Sequence, residues 1–118
     1  MGIRIFAIAY IWAQTMDQVD FFKCLSDPTR LNILKIILQR QNVCVCEITE
    51  LLKLNQPKIS RHLALLRNLL ILLDERKGQW VYYRLNPDLP YWAMSILNVL
   101  KDEVLNAPSS NLSSIKCE

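Results

Sequence analysis

The sequence predicts a mainly α-helical domain carrying one β-hairpin. Three observations predict it. Apolar residues recur at three- and four-residue spacing through residues 17–66 and again through 89–105, the period of helices with one buried face. Between these stretches, Val81, Tyr83 and Leu85 alternate with Trp80, Tyr82 and Arg84, the period of a half-buried strand. Only two glycines occur, which leaves little room for an all-β fold. At 118 residues and 52% hydrophobic content, the chain is one domain with a small but real core.

Residues 1–15 are apolar, with Arg4 ahead of the run 5–13. This imitates the charged and apolar regions of a signal peptide, but the run is too short to span a bilayer and lacks a clear small-x-small cleavage site. It reads as an extension upstream of the usual start, or as a first helix that packs on a partner. The competing reading is a secreted or membrane-associated protein with a real signal. Met16-Asp17 is a natural beginning for the folded domain, and an apolar extension needs burial, most simply in a dimer interface. Residues 17–25 read as a short helix with Val19, Phe22 and Cys24 or Leu25 inward. Asp27 is placed to cap the next helix, with Pro28 at its first position and Leu31, Ile33, Leu34, Ile37 and Leu38 along it. Arg40-Gln41-Asn42 is a polar turn, and 43–45 is short and β-prone.

A helix over about 45–52 comes next, with Cys44 and Glu47 at capping-box spacing and Ile48, Leu51 and Leu52 facing the core. Lys53-Leu54-Asn55 turns the chain into a second helix, 55–68. Asn55 can cap it, Pro57 sits in its first turn, and Ile59, Leu63, Leu66 and Leu70 define its buried face. This helix holds Lys58, Arg61 and Arg67 and no acid. Phosphate contact needs that charge, and base reading needs donors such as Gln56, Ser60 and Arg61. An ordinary amphipathic helix with a solvated basic face would show the same pattern. Two short helices joined by a tight turn, the second basic, have helix-turn-helix geometry.

Strands at about 71–75 and 79–85 then flank Arg76-Lys77-Gly78, a hairpin placed as a wing with Arg76 and Lys77 at its tip. Asn86-Pro87-Asp88 stops the second strand. Residues 89–105 form a last amphipathic helix with Trp92, Ile96, Val99, Leu100 and Val104 on one side, read as a dimer seam in preference to a cap on the core. The expected organisation is an apolar extension (1–15), a winged helix-turn-helix domain (16–105) and a flexible tail (106–118). Net charge is +3; residues 43–85 hold seven Lys or Arg against four Asp or Glu, so this segment carries all of it.

The cysteines are Cys24, Cys44, Cys46 and Cys117. With no dense cysteine framework, no C-x-x-C and no paired histidines, they point to a reducing, cytoplasmic setting and away from zinc fingers. Thiols at i and i+2 share one side of an extended backbone and diverge on a helix. At a strand-to-helix junction, Cys44 and Cys46 converge on one soft ion only if the first turn gives way. An ion held there would distort the helix that supports the basic one, and so act as a switch. Cysteines that simply pack as small hydrophobes are the alternative. An enzyme is disfavoured: the single histidine, His62, has no evident catalytic partner, and there is no nucleotide-binding glycine loop.

Cys44-Val45-Cys46-Glu47, the run from Gln56-Pro57-Lys58-Ile59-Ser60-Arg61-His62 to Arg67, Gly78-Gln79-Trp80-Val81-Tyr82-Tyr83-Arg84-Leu85, and Asp27-Pro28-Thr29-Arg30-Leu31 upstream resemble the ArsR/SmtB family of bacterial winged-helix metalloregulators. The resemblance is closest to arsenical-resistance operon repressors and covers about 16–105. It implies a homodimer joined by its terminal helices on an inverted repeat of double-stranded operator DNA, with no membrane partner. It implies release by As(III) or Sb(III), with no cofactor required. Cys44 and Cys46 would be inducer ligands. Gln56, Lys58, Ser60, Arg61 and His62 would lie on the DNA side, and Arg76 and Lys77 would sit on the wing; Arg67, on the same basic helix, is also read as a DNA contact.

Three departures from the family pattern stand out. The third cysteine of the arsenic-responsive pattern is Thr49 here, so Cys117, Cys24 or an outside thiol must complete a three-sulfur site. The glycine expected after the basic helix is Leu70, so that helix runs on or ends with strain. The His and acidic ligands of zinc and nickel sensors are missing from the last helix. Cd(II) or Pb(II), which accept thiolate pairs, are alternative inducers. A thiol redox sensor is a third reading, although a disulfide across one intervening residue would be strained.

Overall fold

Capping residues set where the helices begin. The computed structural model describes residues 16–106. In α1 (Gln18–Leu25), Asp17 accepts a hydrogen bond from the Val19 N–H at 2.9 Å. In α2 (Pro28–Arg40), Asp27 accepts one from the Arg30 N–H at 3.0 Å, with Pro28 in the first turn, where its missing donor is not needed. β1 (Asn42–Cys44) leads directly into α3 (Val45–Leu52), and Lys53, Leu54 and Asn55 turn the chain into α4 (Gln56–Asn68). β2 (Leu72–Lys77), β3 (Trp80–Leu85) and α5 (Tyr91–Asn106) complete a winged helix-turn-helix, as the sequence predicts. Among the described residues no helix is long and apolar enough to cross a membrane. The expected extension, 1–15, and all but the first residue of the expected tail lie outside the described residues.

α2 is central. Its Ile33, Leu34, Ile36 and Ile37 are buried, and it packs on α1, α4, α5 and the sheet. The sheet is antiparallel in the order β1-β3-β2, with Val43 opposite Tyr83. Lys77 pairs with Trp80, so only Gly78 and Gln79 make the hairpin turn. Gly78 has φ +64° and Gln79 keeps a negative φ, the pattern of a type II′ turn whose twist suits a hairpin. Arg76 and Lys77 are therefore the last residues of β2 rather than part of the turn, and they point to opposite faces of the hairpin.

Several expected faces are corrected. In α1 Phe21 and Cys24 are buried, whereas Val19 and Phe22 are more than half exposed. The helix has only eight residues, and Trp92 of α5 decides its rotation by meeting the Phe21 ring edge-on at 5.1 Å. α5 buries Ala93 and Leu97 and packs Trp92, Ile96 and Leu100 partly against the core, so of the residues read as a seam Val99 is left bare. Leu51 sits at the margin of exposure while Ile48 and Leu52 are buried.

Leu70 does not extend the buried face of α4, because the helix stops at Asn68. The Ile71 N–H bonds to the Leu66 carbonyl at 3.0 Å and the Leu70 N–H to the Arg67 carbonyl at 2.9 Å, the paired bonds of a Schellman ending. Leu66 and Ile71, both buried, supply its apolar contact. Leu70 occupies the left-handed position, φ +62°, that this ending reserves for glycine. Its carbonyl accepts from the Asn86 side-chain amide at 2.9 Å, which ties the end of α4 to the end of β3.

Candidate nucleic-acid interface and thiol pair

α4 is built to present one face. Asn55 accepts a hydrogen bond from the Lys58 N–H at 2.9 Å, and Ile59, Leu63 and Leu66 are buried. Arg61 and Gln56 are exposed, with Lys58 and Ser60 beside them. Two of the expected DNA-side residues are committed to other contacts. The His62 side chain is only 17% exposed and turns toward the start of α2. Its Nδ1 lies 3.2 Å from Arg30 Nη1 and 3.9 Å from the Asp27 carboxylate. Arginine can only donate, so Nδ1 is the acceptor and the ring is held neutral on that side. Burial pushes the His62 pKa down; Asp27 opposes this, while Arg30, Lys58 and Arg61 add to it. Burial works to raise the Asp27 carboxyl, but the Arg30 N–H and the Arg30 charge hold it below its ordinary range. Arg67 pairs with Asp74 of β2 at 3.4 Å and meets the Tyr83 hydroxyl, so it braces α4 against the hairpin.

Cys44 ends β1 and is the N-cap of α3. Its sulfur accepts the Cys46 N–H at 3.4 Å. Glu47 closes the capping box by accepting the Cys44 N–H at 3.3 Å and reaches Arg40 at 3.3 Å. Cys44 is buried and Cys46 is exposed. The neighbouring Cys44 side chain, ahead of burial, pushes the Cys46 thiol up. Both residues border the same cleft, with the first turn of α3 intact. Thr49 is not added to the pair: its hydroxyl donates to the Cys46 carbonyl at 2.8 Å. Cys24 is buried in α1 beside Arg30, and burial raises its pKa. Among the described residues no three His, Cys, Asp or Glu side chains cluster as metal ligands, so Cys24 does not join the pair. Cys117 lies outside the described residues.

α3, α4 and the hairpin border an open cleft of about 510 Å³. Cys44 and Cys46 line one wall, Gln56, Ser60 and Arg67 another, and Asp74 and Arg76 the third. No motif in the sequence announces this cleft, the Arg67–Asp74 brace or the Asp27–Arg30–His62 cluster. Only the cluster leaves a trace there, in the capping spacing of Asp27 and Arg30.

The family described as bacterial regulatory protein, arsR family, matches residues 27–70. The arsenic resistance transcriptional regulator ArsR1 of Pseudomonas putida is 54% identical over 81 residues, 69% of this chain and 63% of that protein. The match thus spans less than two thirds of that relative. The arsenical resistance operon repressor of Escherichia coli is 42% identical over 102 residues, 84% of this chain and 87% of the repressor. Among solved structures, HlyU from Vibrio cholerae N16961 superposes with a TM-score of 0.63 at 27% identity, covering 75% of this chain and 89% of HlyU.

Proposed function

The chain belongs to the arsR family of bacterial regulatory proteins, and from that premise we propose that it represses an arsenic-resistance operon and is released when As(III) or Sb(III) binds Cys44 and Cys46. As a member of this family it is a DNA-binding transcriptional regulator and not an enzyme. On this reading residues 16–105 form the working domain, a cytoplasmic homodimer on an inverted repeat of operator DNA. Gln56, Lys58, Ser60 and Arg61 contact DNA from α4. Arg76 and Lys77 contact phosphate from the wing. His62 and Arg67 hold α4 in place for those contacts.

The observation that carries the inducer assignment is the cap. Cys44 is at once a candidate ligand and the residue whose sulfur holds the first turn of α3. A Cys44 sulfur bonded to a thiophilic ion gives up electron density that the Cys46 N–H now uses. An N-cap contributes about 1 kcal/mol, a large share for an eight-residue helix. α3 packs on α4, so strain at the cap reaches the helix that meets DNA. Allosteric coupling of about 1–3 kcal/mol, or roughly 5- to 150-fold in affinity, is the ordinary range for such a device.

The test is fluorescence anisotropy of labelled promoter DNA with the reduced protein, titrated with arsenite and cadmium in parallel. Arsenite is expected to raise the Kd at least about fivefold. The double variant Cys44→Ser, Cys46→Ser is expected to bind DNA as the parent does and to ignore arsenite; continued release would refute the thiol-pair switch. The presence of only two sulfurs in the described site favours Cd(II) or Pb(II) as the second reading. Release by cadmium alone would select it.

A further inference from the structure

We propose that the cleft beside Cys44 and Cys46 seats a small carboxylate-bearing thiol, which supplies the third sulfur on trivalent arsenic and rests its carboxylate on Arg76. This inference depends on the arsenite response proposed above. Three observations meet in one place. The first is a missing donor. Trivalent arsenic favours three soft ligands, yet the described site offers two sulfurs, and the nearby Thr49 hydroxyl is a hard donor already given to the Cys46 carbonyl at 2.8 Å. The second is space. The cleft holds about 510 Å³ immediately beside both sulfurs, within the range of roughly 300–1,000 Å³ that takes small organic ligands.

The third is charge. Two arginines line the cleft, and Asp74 neutralises Arg67 at 3.4 Å. Arg76 is exposed on the same wall and makes no ion pair among the described residues. A guanidinium receives a carboxylate as a planar fork, and it offers nothing comparable to a neutral or cationic group. The chemistry balances without a redox step. As(OH)3, the two cysteine thiols and the small thiol give three As–S bonds and three waters, each thiol proton leaving with one hydroxide. Arg76 engaged by the adduct is unavailable to a DNA phosphate, so the adduct would weaken the wing contact directly.

The experiment is native mass spectrometry of the full chain, reduced with a phosphine, without DNA. Arsenite is added with equal amounts of 3-mercaptopropionate, 2-mercaptoethanol and cysteamine. The expected species is protein plus one arsenic plus one 3-mercaptopropionate, favoured about threefold or more over the other two adducts, the scale of an exposed ion pair. Arg76→Ala is expected to level the three adducts while arsenic stays bound, and Arg76→Lys to keep part of the preference. Arsenic bound with three hydrogens lost from the chain would reveal a third protein thiol and overturn the proposal. An equal split of adducts on the parent protein would overturn it too. Anisotropy with the same reagents separates this inference from the function it rests on. Release of DNA by arsenite with phosphine alone keeps the arsenite response and removes the small thiol. No bound arsenic and no release under any condition removes both.

Discussion

Leu70 holds a backbone conformation that its own side chain resists. At φ +62° it carries the left-handed penalty of an L-residue, roughly 1–2 kcal/mol, and its side chain is 49% exposed, so little burial compensates. Leu70→Gly is expected to stabilise the fold by roughly 0.5–1 kcal/mol once the extra freedom of glycine in the unfolded chain is subtracted. Thermal unfolding checks this, and a lower Tm would contradict it. His62 makes a second residue-scale prediction. Its pKa is depressed, so the unfolded chain takes up a proton at a higher pH than the folded one. Stability is therefore lost as pH falls below about 6.5. Asp27, whose pKa is lowered, contributes only in a more acid window, below about pH 4. Denaturant unfolding of His62→Gln, which keeps an acceptor for Arg30 without titrating, is expected to be flatter than the parent between pH 7 and 5.5.

At the scale of elements, the hairpin gives the clearest prediction. Arg76 and Lys77 end β2 on opposite faces, with Lys77 Nζ 5.2 Å from the centre of the Tyr82 ring. Removing one phosphate-binding cation from such a wing lowers the slope of log K against log salt by about 0.9. Arg76→Ala with Lys77→Ala is expected to weaken promoter and random DNA alike and to flatten that slope by up to about 2. A change confined to the promoter sequence would instead make these residues base readers. Much at this scale is legible in the sequence. Asp27, Cys44 and Asn55 cap the helices that their positions predict, because a cap is a local bond that spacing announces. Rotation of short helices is not legible. Val19 and Phe22 fit an inward stripe as well as Phe21 and Cys24 do until Trp92, about seventy residues away, chooses between them. The Arg67–Asp74 brace and the cleft likewise depend on how separate elements meet, which no spacing within one element encodes.

At the scale of the whole molecule, α1 and α5 carry the most conspicuous bare apolar surface among the described residues. Val99 is 68% exposed on α5, and Phe22 of α1 lies against Trp92 at 6.5 Å with half its own surface open. The proposed homodimer covers this face. Val99→Lys is expected to shift the protein from dimer toward monomer in sedimentation at micromolar concentration and to weaken operator binding at least about tenfold, since two half-sites no longer bind as one. Unchanged sedimentation would place the dimer seam elsewhere. The shared cleft has a consequence for timing. On the proposed reading, a duplex laid along α4 and the hairpin bridges the mouth into which Cys46 opens. An occupied operator then shields the sulfurs, and the inducer reaches them in the intervals after the repressor has let go. More arsenite captures a larger share of those departures but does not hasten them. The speed at which the promoter clears has a ceiling, set by the residence time of the repressor on its own operator.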